Sequence, residues 1–91
     1  MQFDEISPHL IRIFDFVSKG DRWFTSDEIA SGAAVARRTA NAHARTLAQL
    51  GVFERTEVFT GYRYRLAEQA PCRFLERIGA ARKAFNMEAT R

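Results

Sequence analysis

The sequence has little of what staples a chain, coordinates metal or breaks regular structure. A single cysteine, Cys72, excludes an internal disulfide and any cysteine-based zinc pattern. A lone thiol of this kind reads as a small, partly buried apolar residue. The two histidines, His9 and His43, are too far apart in sequence to suggest a metal site. Two prolines and five glycines in 91 residues are too few for a disordered or fibrous chain. No apolar run is long enough to cross a bilayer. The start, Met1-Gln2-Phe3-Asp4-Glu5, has early acids and no basic segment, so no signal peptide is expected. A soluble, cytoplasmic domain is predicted. There is no serine–histidine–acid arrangement, phosphate loop or carboxylate pair, so neither enzymatic activity nor a cofactor or metal is expected.

What is present is globular: 46% hydrophobic and 27% charged residues, enough for one core. The net charge of +3 is small but unevenly spread. Residues 1–34 carry −3, residues 35–65 carry +4 and residues 66–91 carry +2. The basic middle of a nearly neutral chain points to a polyanion-facing surface. Only two of the fourteen basic residues are lysine. Arginine's planar fork suits bidentate contacts to phosphate and to guanine edges.

Periodicity predicts the elements. Ser7-Pro8 is a helix start, serine as cap and proline at the first position. Leu10, Ile13, Phe14 and Val17 then form an apolar stripe, and Gly20 lies near the end. Trp23-Phe24-Thr25 reads as extended. Thr25 or Ser26 caps a second helix, with Asp27 and Glu28 in its first turn. Gly32-Ala33-Ala34 offers a tight turn. A third helix is predicted over residues 36–50, ended by Gly51. It sets Ala40, His43, Leu47 and Leu50 on one side and Arg37, Asn41 and Arg45 on the other. Arg38 and Ala42 flank the arginine stripe. Residues 52–59 and 62–66, separated by Thr60-Gly61, read as a β-hairpin whose second strand alternates Tyr62, Tyr64 and Leu66 with Arg63 and Arg65. Phe74, Ile78, Ala81 and Phe85 mark a last helix.

The order is helix, strand, helix, helix, hairpin, helix: mainly α with a small β-hairpin wing. From Trp23 to Leu66 it resembles the winged helix-turn-helix of MarR-, ArsR- and IclR-type bacterial regulators. The resemblance rests on Thr25-Ser26-Asp27-Glu28-Ile29-Ala30 and on Val35-Ala36-Arg37-Arg38-Thr39-Ala40-Asn41-Ala42-His43. It continues through Leu47-Ala48-Gln49-Leu50-Gly51-Val52-Phe53-Glu54-Arg55 and Tyr64-Arg65-Leu66. It implies a DNA-binding unit over residues 1–66, with the helix of residues 67–91 in the same domain and available for dimerisation. It also implies that the third helix enters the major groove while the wing, residues 52–66, lies on the backbone or minor groove. Arg37, Arg38, Asn41, Ala42 and Arg45 would then read bases, and Thr25, Ser26, Thr60, Arg63 and Arg65 would meet the backbone. The ArsR-type metal-binding cysteine motif is missing, and Ala36 stands where a capping serine or threonine is usual.

The expected function is therefore a sequence-specific double-stranded DNA-binding transcriptional regulator acting as a homodimer, nucleoid-associated in a bacterial cell. The alternatives are a winged-helix protein-interaction module, or a DNA-binding factor in replication, plasmid maintenance or a phage switch. For Arg65 and Arg63 the competing reading is cross-strand pairing with Glu54 or Glu57. For His43 it is packing.

Overall fold

The computed structural model describes residues 6–59 and 61–85. Helix α1 (Pro8–Lys19) starts where Ser7 caps it, the serine hydroxyl accepting from the Leu10 N–H at 3.2 Å. Its apolar stripe is wide: Leu10, Ile11, Ile13, Phe14 and Val17 are all buried. Gly20 follows in an extended conformation, φ −86°, not the left-handed one expected of a terminal glycine. It is needed for space. A Cβ there would lie 2.2 Å from the Phe24 ring.

Strand β1 (Phe24–Thr25) leads directly into helix α2 (Ser26–Ala33). Thr25 and Glu28 close a reciprocal capping box. The Glu28 N–H donates to Thr25 Oγ1 at 3.1 Å, and the Thr25 N–H donates to Glu28 Oε1 at 2.9 Å. That backbone bond holds the Glu28 carboxyl below its ordinary pKa. Of the expected turn Gly32-Ala33-Ala34, the first two residues still belong to α2, and a Cβ at Gly32 would lie 2.2 Å from the Phe16 ring. The chain turns at Ala34, in the left-handed region at φ 58°, ψ 48°. The Val35 N–H then donates to the Ala30 carbonyl at 3.0 Å, and Val35 packs against the core.

Helix α3 (Arg37–Gln49) begins at Ala36 without a side-chain cap. Its core face is Ala40, Ala44 and Leu47. His43, expected on that face, lies at its edge, half-buried, and Ala44 takes the inner position. Small residues there let α3 sit close to its neighbours. Gly51, at φ 83°, ends the helix, and the Val52 N–H donates to the Leu47 carbonyl at 2.9 Å. This closure drops Val52 into the core and aims the chain into the hairpin.

Strands β2 (Phe53–Val58) and β3 (Gly61–Leu66) pair antiparallel, Phe53 opposite Leu66 and Val58 opposite Gly61. The first hairpin strand therefore ends at Val58 and the second begins at Gly61, each one position earlier than the sequence pattern suggested. Strand β1 pairs with the other side of β3, giving the order β1-β3-β2. Helix α4 (Cys72–Ala84) returns to α1. Phe74 meets Phe14 edge to face at 5.5 Å, and Arg82 forms a two-pronged pair with Asp15 that raises the guanidinium pKa. Cys72 is exposed at the start of α4, not partly buried as expected, because Phe74 and Ile78 are the residues that face inward.

Candidate nucleic-acid interface

The expected DNA-reading residues share one exposed surface. Arg37, Arg38, Asn41, Ala42 and Arg45 all lie exposed on α3, opposite Ala40, Ala44 and Leu47. The outward row has no acid between Arg38 and Gln49. Beside it, the starts of α2 and α3 and the end of the wing enclose an open groove of about 710 Å³. Ser26, Asp27, Arg38, Asn41 and Tyr62 are among its walls.

These side chains are not equally free. Asn41 accepts at Oδ1 from the Ser26 hydroxyl at 3.2 Å, across the helix-turn-helix. The contact orients the amide and leaves its N–H groups and a second oxygen lone pair open. Arg37 pairs through Nε with Asp27 Oδ1 at 2.7 Å, both side chains being more than two-thirds exposed. Such a pair is weak in water, and it points the rest of the fork outward. Arg38, Arg45 and Arg63 have no ion pair among the described residues.

Thr25 and Ser26 stand at the N-terminus of α2, beside α3. Thr25 lines the groove, but its hydroxyl is taken by the capping box. In the wing, Arg65 follows the pairing alternative. Its Nε donates to Glu54 Oε1 at 2.7 Å and its guanidinium lies over the Trp23 ring, 4.5 Å from the centroid. Arg63 is exposed and sits in register with Thr56 and Thr25. Thr60, expected at the backbone, lies outside the described residues.

One residue of this surface, Arg55, escaped sequence reasoning. Arg55 stacks on Tyr62 at 4.4 Å and stands opposite the buried Tyr64 in β3. Tyr64 is fully buried, and its hydroxyl lacks a well-aligned partner. Burial raises the phenol's pKa, while the nearby Arg55 and Arg45 guanidiniums oppose that rise. Arg45 on α3 and Arg55 on the wing thus flank one buried tyrosine. The sequence hides this because it depends on the hairpin register.

No family model matches the chain, and no curated protein matches its sequence. Solved structures do match its shape. The transcriptional regulator PA4135 superposes with a TM-score of 0.64 at 15% identity, over 91% of this chain and 62% of that one. A possible transcriptional regulator from Methanosarcina mazei Go1 superposes with a TM-score of 0.59 at 15% identity, over 92% of this chain and 72% of that one. The chain thus spans less than two thirds of the length of the first. Together with the element order and sheet topology, the likeness defines the fold: a winged helix-turn-helix, with α2 and α3 as the helix pair and β2–β3 as the wing.

Proposed function

We propose that the chain is a sequence-specific double-stranded DNA-binding transcriptional regulator. Helix α3 enters the major groove, and the wing rests on the backbone or minor groove. One observation carries this reading. Arg38, Asn41 and Arg45 form an exposed, acid-free row on the helix that the fold presents outward, with Asn41 already oriented by Ser26. Arginine matches guanine O6 and N7, and asparagine matches adenine N6 and N7. Arg38 and Asn41 read bases, with the small Ala42 between them and the groove wall. Arg37 supports them from its pair with Asp27. Arg45, near the wing, takes a phosphate together with Arg55. Arg63 meets backbone phosphate, Ser26 contributes at the start of α2, and Arg65 has a mainly structural part.

One recognition helix reads few bases, so two copies on a two-fold operator are the natural arrangement. The similarity to structures named as transcriptional regulators supports the regulatory assignment. Selection from random duplex DNA, followed by mobility-shift titration at several salt concentrations, tests the proposal. An enriched motif bound with a steep salt dependence is the expected result. No salt-dependent duplex binding, together with a tight protein partner, would establish the protein-interaction reading in its place.

A further inference from the structure

Among the described residues, one large apolar side chain stands apart from the rest of the fold. Phe59, in the two-residue loop of the hairpin, has a relative exposure of 103%, so nothing in the fold covers its ring. The next most exposed large hydrophobics, Leu75 and Phe85 at 43% and Tyr62 at 42%, are less than half as exposed. Local backbone chemistry gives no reason for the residue. Two-residue hairpin loops favour glycine, asparagine or aspartate, and an aromatic ring serves no turn geometry.

The surroundings do give a reason. The returning strand carries Arg63 and Arg65 and has no acid. Arg55 stacks on Tyr62 on the same ladder, and the nearest acid, Glu57, stands opposite Tyr62. Gly61 and Tyr62, immediately beyond the loop, line the groove shared with Arg37, Arg38 and Asn41. The hairpin carries Arg55, Arg63 and Arg65 against Glu54 and Glu57, with Arg65 paired to Glu54. The bare ring therefore sits at the tip of an arm of small net positive charge that adjoins the α3 surface. A single ring among arginines is too small an apolar patch for a protein-docking face. It has the composition of an element that pushes an apolar group between two rails of phosphate.

We propose that Phe59 is a wedge that enters the minor groove and partly unstacks one base step when the wing seats on duplex DNA. The inference rests on the DNA-binding reading above. Such wedges recover the unstacking cost by bending the duplex toward more protein contacts. Pyrimidine–purine steps deform most easily, so the wedge also selects a flexible step at a position no side chain reads by hydrogen bonding.

The test uses the full chain, a duplex recovered by the selection above, and a series of that duplex carrying 2-aminopurine at successive positions. Wild type should raise 2-aminopurine emission at one step beneath the wing. Phe59→Ala should abolish that rise and weaken binding about tenfold, with the salt slope unchanged because no phosphate contact is lost. Phe59→Leu, which keeps an apolar wedge, should retain most of both effects. Unaltered thermal unfolding of Phe59→Ala would confirm that the loss is not one of folding. Equal affinity of Phe59→Ala, or weaker binding with no step unstacked by wild type, would overturn the wedge while leaving DNA binding intact. Absence of any mobility shift by wild type would remove both readings, and is distinguishable because no complex forms at all.

Discussion

At the residue scale, the surface of α3 separates side chains by what else holds them. Among the described residues Arg38 has no ion pair, and Asn41 is oriented by a contact from Ser26. Arg38→Ala or Asn41→Ala should each lower affinity for the selected site by about 1–3 kcal/mol and relax base preference at one position. A mobility-shift titration against single-base variants measures this, and unchanged preference would refute the assignment. Arg65→Ala, by contrast, should act mainly on stability, since Glu54 and Trp23 already hold that guanidinium. His43 gives a pH dependence. Burial first, then the charge of His9, lowers its pKa from the ordinary 6.5. The unfolded chain therefore binds this proton more readily than the folded one. Stability should be full above pH 6.5 and fall as the pH drops through that value toward the lower folded pKa. Urea unfolding between pH 5 and pH 8 would show the trend, and His43→Gln should flatten it. The arginine row was legible in the sequence because helical period alone sets it outward. The pairing of Arg65 with Glu54 was one of two readings open in the sequence, and strand register decides it. The tie of Arg37 to Asp27 was not legible, since it depends on how α2 meets α3.

At the element scale, boundaries written in local chemistry were legible and boundaries set by distant packing were not. Ser7-Pro8 and Gly51 carry capping signals that the structure uses as read. Of the two candidate caps Thr25 and Ser26 the structure uses Thr25, with Glu28 closing a capping box that sequence reasoning had not singled out. Removing one should have the usual cost: Thr25→Ala should lower stability by about 1 kcal/mol in chemical denaturation. The turn between α2 and α3 falls at the last residue of the expected segment, Ala34, while Gly32 stays helical with its bare face against Phe16. Phe16 in turn packs on Phe24 at 4.7 Å, and Phe24 packs on Gly20. Two glycines thus seat one aromatic pair. Helix propensity alone predicts that Gly32→Ala stabilises α2 by about 1 kcal/mol. The crowded ring predicts the opposite, a net loss of about 1 kcal/mol or more. Thermal unfolding decides between them, and a raised Tm would mean that Phe16 moves aside freely. The hairpin loop fell one residue early because Gly61 pairs with Val58 instead of turning the chain.

At the scale of the whole molecule, α1 is the centre. Its buried stripe belongs to the same core as α2, α3 and the wing, and its Phe14 and Asp15 also receive α4. The α3 surface and the wing are therefore braced from behind by one rigid unit. Two such units on DNA should protect half-sites about 34 Å apart, one helical turn, in a footprint. Sedimentation of the complex should report two chains per operator, and a single chain at saturation would refute the dimer. The basic middle segment, residues 35–65, is where the exposed α3 row and the wing lie. It did not reveal the stacking of Arg55 on Tyr62 or the bare ring of Phe59, which depend on the hairpin's register and reach.

The strand order β1-β3-β2 has one more consequence. Among the described residues the outer rim of β2 has no neighbouring strand, and its unpaired backbone groups could template another chain. Glu54, Arg55 and Glu57 stud that rim with alternating charge, which discourages stacking between molecules. The wing's charges thus guard solubility as well as shaping its outer surface. Hairpin variants that neutralise them should be checked for self-association by light scattering before a weakened complex is ascribed to lost DNA contacts.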